Sequence, residues 1–205
     1  MLAAFVAAAV LAQESGGDIP GVPRVLIVGD SISEGYTWPL TRLTLGKCNV
    51  HHIPGDGGST SNGVAKIDEW LGKSHWDIIV FNFGLEDMRL DENGRHLVEI
   101  PQYEANLKVI ADKLSKTGAS LLWVDTTPVP AGNLNPPRRH EDVAEYNRAA
   151  KRALERTPHR TCDLYLADLF RQKGDIHFTP AGYDRLAKLV SLYIVYQYGE
   201  CIMDQ

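Results

Sequence analysis

Cysteine is scarce: Cys48, Cys162 and Cys201 are the only three in 205 residues. No C-x-x-C pair occurs among them, which excludes a zinc ribbon or dithiol redox site and leaves buried or incidental thiols, with one disulfide open to an exported chain. The seven histidines contain no H-x-x-x-H spacing, so no metal is expected; apart from His177, they are assigned to loops and surfaces. Basic charge is also short, with 21 Lys and Arg against 26 Asp and Glu, which argues against a nucleic-acid partner. The one basic cluster, Arg138, Arg139, Arg148, Lys151 and Arg152, is interleaved with Glu141, Asp142, Glu145 and Glu155 and reads as a solvated helix face. Beyond the first dozen residues no apolar run approaches bilayer length, which excludes an integral membrane protein. Collagen-like, coiled-coil and disordered compositions are absent as well.

The apolar start, Met1 to Gln13, ends in the small-residue sequence Val10-Leu11-Ala12 and resembles the end of a secretory signal, although it lacks a positively charged beginning. Gln13 to Gly21 is polar and Gly-rich and reads as a linker. The expectation is a signal and linker segment over residues 1–21, one domain over 22–205, and a soluble periplasmic or extracellular protein.

Short apolar runs alternate with stretches of helical periodicity, the pattern of repeated βα units around a parallel sheet. Strands are expected at Arg24–Val28, Asn49–Ile53, Asp77–Phe83, Ser120–Asp125 and Asp163–Ala167. The first, third and fourth are nearly continuous in apolar residues, as strands covered on both faces must be. Val64, Ile67 and Leu71 form one apolar helix face, as do Tyr103, Leu107, Ile110 and Leu114, and Val143, Tyr146, Ala150 and Leu154. A last helix opens with Thr179 as N-cap and Pro180 at its first position, and buries Leu186, Leu189, Val190, Tyr193 and Ile194. Crossover handedness makes a three-layer α/β/α sandwich the natural solution. The long connections at Met88–Pro101 and Pro128–Arg139 follow carboxyl ends of strands, where open parallel sheets bind ligands.

Chemistry concentrates in two places. Gly29-Asp30-Ser31-Ile32-Ser33 stands where the first strand ends, so Ser31 is presented on a turn that exposes its hydroxyl near free backbone N–H groups, as an acyl-transfer nucleophile requires. Asp175-Ile176-His177-Phe178-Thr179-Pro180-Ala181-Gly182-Tyr183 lies just before the last helix. Together with Gly57-Gly58-Ser59-Thr60 and Gly84-Leu85-Glu86-Asp87, these blocks resemble the SGNH hydrolases, also called GDSL-type esterases and lipases, from about Arg24 to the end of the last helix. The resemblance implies a flavodoxin-like fold with a five-stranded parallel sheet, and ester hydrolysis through an acyl-enzyme without metal or organic cofactor. It also implies Ser31 as nucleophile, His177 as base, and the Ser31 and Gly58 N–H groups as oxyanion donors. Asp175 would hold the imidazole tautomer.

Two departures from the family pattern matter. The third block usually reads G-x-N-D, its Asn a third oxyanion donor, and here Glu86 takes that place. Three readings stand: Glu86 points elsewhere, it is protonated, or Asn82 or another N–H replaces the missing donor. Glu86 is expected to line the site with Asp30 and Asp87, in contact with substrate. The acid sits two residues before the base rather than three, with Gly174 in the usual position. Asp175 is the expected acid, and a backbone carbonyl or Asp168 is the alternative. Tyr36 and Trp38 follow the nucleophile, either as an aromatic wall of the cleft or as core.

The substrate class expected is a small carbohydrate ester, with O-deacetylation the more specific reading. A short-chain lysophospholipase or thioesterase, and a non-catalytic carbohydrate-binding protein on the same scaffold, are the alternatives.

Overall fold

The computed structural model describes residues 17–165 and 174–203, with side chains to Tyr196 at the C-terminal end. The elements alternate throughout: β1 (Arg24–Val28), α1 (Ser31–Leu43), β2 (Asn49–His52), α2 (Thr60–Leu71), β3 (Ile78–Phe81), α3 (Ile100–Ser115), β4 (Ser120–Val124), α4 (Asp142–Leu154), β5 (Arg160–Cys162) and α5 (Pro180–Met203). The five strands run parallel in the order β2-β1-β3-β4-β5. That is the flavodoxin-like order of a doubly wound sheet.

Strands β1, β3 and β4 are central, which explains their apolar runs: Val25, Ile27, Val28, Ile79, Val80 and Phe81 are wholly buried because helices cover both faces. Helix α1 packs on α5, while α2, α3 and α4 pack side by side. The layers are therefore two helices, the sheet, and three helices. Tyr103, Leu107, Ile110 and Leu114 of α3, and Val143, Tyr146, Ala150 and Leu154 of α4, are fully buried. Each such aliphatic side chain contributes about 1.5 to 3 kcal/mol of transfer free energy. Helix α5 starts at Pro180, and the Thr179 hydroxyl accepts from Gly182 N at 3.2 Å, the capping anticipated from the sequence.

Two boundaries differ from expectation. Strand β5 lies at Arg160–Cys162, ahead of the run Asp163–Ala167, whose last two residues fall outside the described residues. An edge strand needs partners rather than apolar continuity: Cys162 pairs with Val124, and Asp125 N donates to Cys162 O at 3.0 Å. At the other end, Ile19 was assigned to a linker but is buried. Its N–H donates to Asn49 Oδ1 at 2.8 Å and its carbonyl accepts from Asn49 Nδ2 at 3.0 Å. The apolar segment 1–16 lies outside the described residues. Among those that are described, no helix is long and apolar enough to cross a membrane. Cys48 and Cys162 are buried free thiols.

Candidate active site

The strand order reverses between β1 and β3, and a doubly wound sheet opens its ligand crevice at the carboxyl ends of those strands. Ser31 follows β1 there as the first residue of α1. The carboxylate of Asp30 is the cap of this helix, accepting from Ile32 N at 3.0 Å and Ser33 N at 3.4 Å. Ser31 N–H, in the first turn of α1, lies outside the intrahelical ladder. Asp30 is only 2% exposed. Burial, then the charge of Asp56, pushes its carboxyl up to about 7. The expectation that Asp30 contacts substrate is corrected: its side chain faces the protein, because the helix start needs a buried acceptor.

The second half of the site arrives from far along the chain. Gly174 has φ of +70°, a turn conformation that costs a residue with Cβ. The chain bends after it, so Asp175 reaches back to His177: Asp175 Oδ1 accepts from His177 N at 3.1 Å and lies 2.8 Å from His177 Nδ1. A carboxylate only accepts, so Nδ1 carries the proton and Nε2 is left as an acceptor. His177 Nε2 lies 3.1 Å from Ser31 Oγ. The backbone N–H of His177 and then its ring hold the Asp175 carboxyl below the usual carboxylate range. The alternative orienting residue, Asp168, lies outside the described residues.

Gly58 belongs to the loop between β2 and α2, which lies directly on the turn bearing Ser31. Gly57 N donates to Gly29 O at 2.9 Å, and a Cβ on Gly57 would stand 2.6 Å from that oxygen. Only glycine permits this approach. The Gly58 N–H donates to Asp56 Oδ1 at 2.7 Å. Asp87, fully buried, holds the same loop from below, accepting from Thr60 N at 2.9 Å and from the Thr60 hydroxyl. Burial pushes its carboxyl up to about 6. Asp87 therefore caps α2 from the turn that follows β3 instead of contacting substrate, since Ser59 makes no side-chain cap. That is a second correction.

Glu86 turns aside. Its Oε1 accepts from Arg138 Nη2, and Oε2 from Arg89 Nη1 at 3.0 Å. Arg138 also donates to Leu85 O at 2.7 Å and Pro136 O at 3.2 Å. Asn82 does not stand in as an oxyanion donor: its amide donates to Val124 O at 2.6 Å and lies 3.4 Å from Thr126 Oγ1. Its amide is thereby committed to β4 and the segment that follows it.

Two residues that support the site were not found from the sequence. Arg138 was assigned to a solvated helix face, but it precedes α4 in a loop and is buried; an Arg between two prolines and a second Arg carries no burial signal. His52 ends β2 and is half-buried. Its Nε2 lies 2.8 Å from Ser33 Oγ and its Nδ1 2.7 Å from Ile53 O, which ties β2 to the turn bearing Ser31. His96 lies in the connection before α3, as expected of a loop histidine; its side chain is 16% exposed and lies 2.8 Å from Asp142 Oδ2. Tyr36 is core, whereas Trp38 is 68% exposed. No group of His, Cys, Asp and Glu able to hold a metal occurs among the described residues.

Searched against known proteins, the chain matches the model of the GDSL-like Lipase/Acylhydrolase family over residues 27–185. No curated protein sequence matches it. Among solved structures it resembles the acetyl xylan esterase AlAXEase, with TM-score 0.70 and 14% identity over 82% of this chain and 97% of the other. A lipase/acylhydrolase from Enterococcus faecalis gives TM-score 0.67 and 19% identity over 84% and 95%. The acetylxylan esterase Axe2 from Geobacillus stearothermophilus gives 0.65 and 16% over 82% and 92%. At these identities the likeness is one of fold, but the family match takes in both the turn bearing Ser31 and the segment bearing His177, and most of the chain between its ends: the protein belongs to the GDSL-like lipase/acylhydrolase family.

Proposed function

We propose that this acylhydrolase is a serine carboxylic-ester hydrolase, with Ser31 as nucleophile, His177 as general base, Asp175 as the acid that orients it, and the Ser31 and Gly58 N–H groups as oxyanion donors. The observation that carries the reading is the unbroken order Asp175 Oδ1, His177 Nδ1, His177 Nε2, Ser31 Oγ at 2.8 and 3.1 Å. The serine proton passes to His177 Nε2 as Oγ attacks the ester carbon. Asp175 stabilises the imidazolium, which then protonates the departing alcohol; water, deprotonated by the same ring, releases the acid and frees Ser31.

The favoured substrate is an O-acetyl ester of a soluble carbohydrate. Two of the similar folds are acetyl xylan esterases, and Trp38, exposed two helical turns beyond Ser31 on the same face of α1, offers a surface for a sugar ring. Export, suggested by residues 1–13, is part of the same proposal. A purely binding role loses its main support, because that role had Glu86 filling the oxyanion site and the Glu86 carboxylate is paired with Arg138 and Arg89.

The test is hydrolysis of p-nitrophenyl acetate and acetylated xylan near neutral pH by the wild type and Ser31→Ala. Activity that collapses in the variant is expected. Equal activity of two folded proteins removes Ser31 as the nucleophile, and no activity in either returns the binding role.

A further inference from the structure

The Gly58 N–H, proposed above as an oxyanion donor, already has an acceptor. It donates to Asp56 Oδ1 at 2.7 Å, and Asp56 is an exposed side chain free to rotate away. A single N–H points in one direction, so an oxyanion bonded to it must take the place of Oδ1 or share the proton with it. The carboxylate is also close to the chemistry. Gly57 N is anchored on Gly29 O at 2.9 Å, two residues before Ser31. After burial, the charge of Asp56 does most to raise the Asp30 carboxyl, and it acts on His52 as well.

We propose that Asp56 is a removable plug of the oxyanion site: its carboxylate occupies the Gly58 N–H in the free protein and is displaced by the substrate's carbonyl oxygen as the tetrahedral intermediate forms. This rests on the ester-hydrolase reading and adds to it a residue that restrains the reaction. Two costs follow. A charge-assisted hydrogen bond is broken during turnover, and a carboxylate stays beside a developing negative charge. Both costs fall on the intermediate, so Asp56 lowers kcat more than it raises KM.

The plug separates from a mere turn-forming role because asparagine makes the same i to i+2 turn bond without the charge. The experiment measures kcat and KM for p-nitrophenyl acetate with the wild type, Asp56→Asn and Asp56→Ala, with urea midpoints to verify folding. The plug predicts kcat rising in the order wild type, Asn, Ala, with KM changed less than about twofold. The Ala gain is on the order of 10-fold, inside the roughly 100- to 1000-fold that one oxyanion donor supplies. A lower kcat for Ala with Asn equal to wild type overturns it and makes Asp56 a prop of the loop. Unchanged kcat in both removes Gly58 N–H from the reaction. If Ala does not fold, Asn alone decides by rising several-fold or not. Failure of the ester-hydrolase reading itself is separate, because it appears as Ser31→Ala retaining wild-type activity.

Discussion

Glu86 is paired with Arg138, a guanidinium whose side chain is 1% exposed and which donates to the Leu85 carbonyl next to Glu86. In the proposed mechanism a free carboxylate at position 86 would repel the oxyanion; the Glu86 carboxylate is instead paired with Arg138 and Arg89.

Replacement of Arg138 by Met is therefore expected to cost about 3 to 5 kcal/mol, the usual penalty for stranding one member of a buried ion pair, and to lower kcat. Glu86→Gln in the same chain is expected to restore most of both. Urea denaturation and p-nitrophenyl acetate kinetics on the two single variants and the double variant measure the coupling. Strictly additive effects would show that the two side chains do not act as a pair.

The bond from His177 Nδ1 to Asp175 selects the tautomer that leaves Nε2 an acceptor beside Ser31 Oγ, as the proposed mechanism requires. Asp175→Asn keeps the shape but offers an amide in place of the carboxylate, and kcat is expected to fall roughly 100- to 10,000-fold, the upper end belonging to fully buried pairs. Asp175 and His177 side chains are 41% and 38% exposed, so water supplies part of the lost orientation and the fall belongs toward the lower end. A change of less than tenfold would assign the orienting role elsewhere.

Asp30 gives a pH signature. Its carboxyl stands at about 7 in the folded chain against 3.8 ordinarily, so between those values the folded protein holds a proton that the unfolded chain has lost. The contribution is fully present below about pH 4 and is lost as pH rises to about 7, with a slope of at most about 1.4 kcal/mol per pH unit. Asp30→Asn keeps a cap of equal quality and is expected to flatten this part of the curve. Urea midpoints at pH 4 to 8 for both proteins check it, and parallel curves would refute the shift.

The α/β alternation, the central strands and the Ser31 and His177 blocks were all legible in the sequence, because each rests on local chemistry. A strand covered on both faces must be apolar along its length, a helix start needs a cap, and a nucleophile needs a turn. Asp175 was the favoured acid through the family resemblance; its spacing of two residues from His177 counts against a direct contact in extended chain, and it is the bend after Gly174 that makes the contact. The destinations of Asp30, Asp87, Asn82, Glu86, Arg138 and His52 were not legible. Sequence shows which groups must find partners, but partners tens of residues away, such as Thr60 for Asp87 or Arg138 for Glu86, are set by which loops the sheet order brings together. The reason is that a buried polar group left unpaired costs more than a made hydrogen bond returns, so each side chain turns to the nearest available partner, and nearness belongs to the tertiary fold.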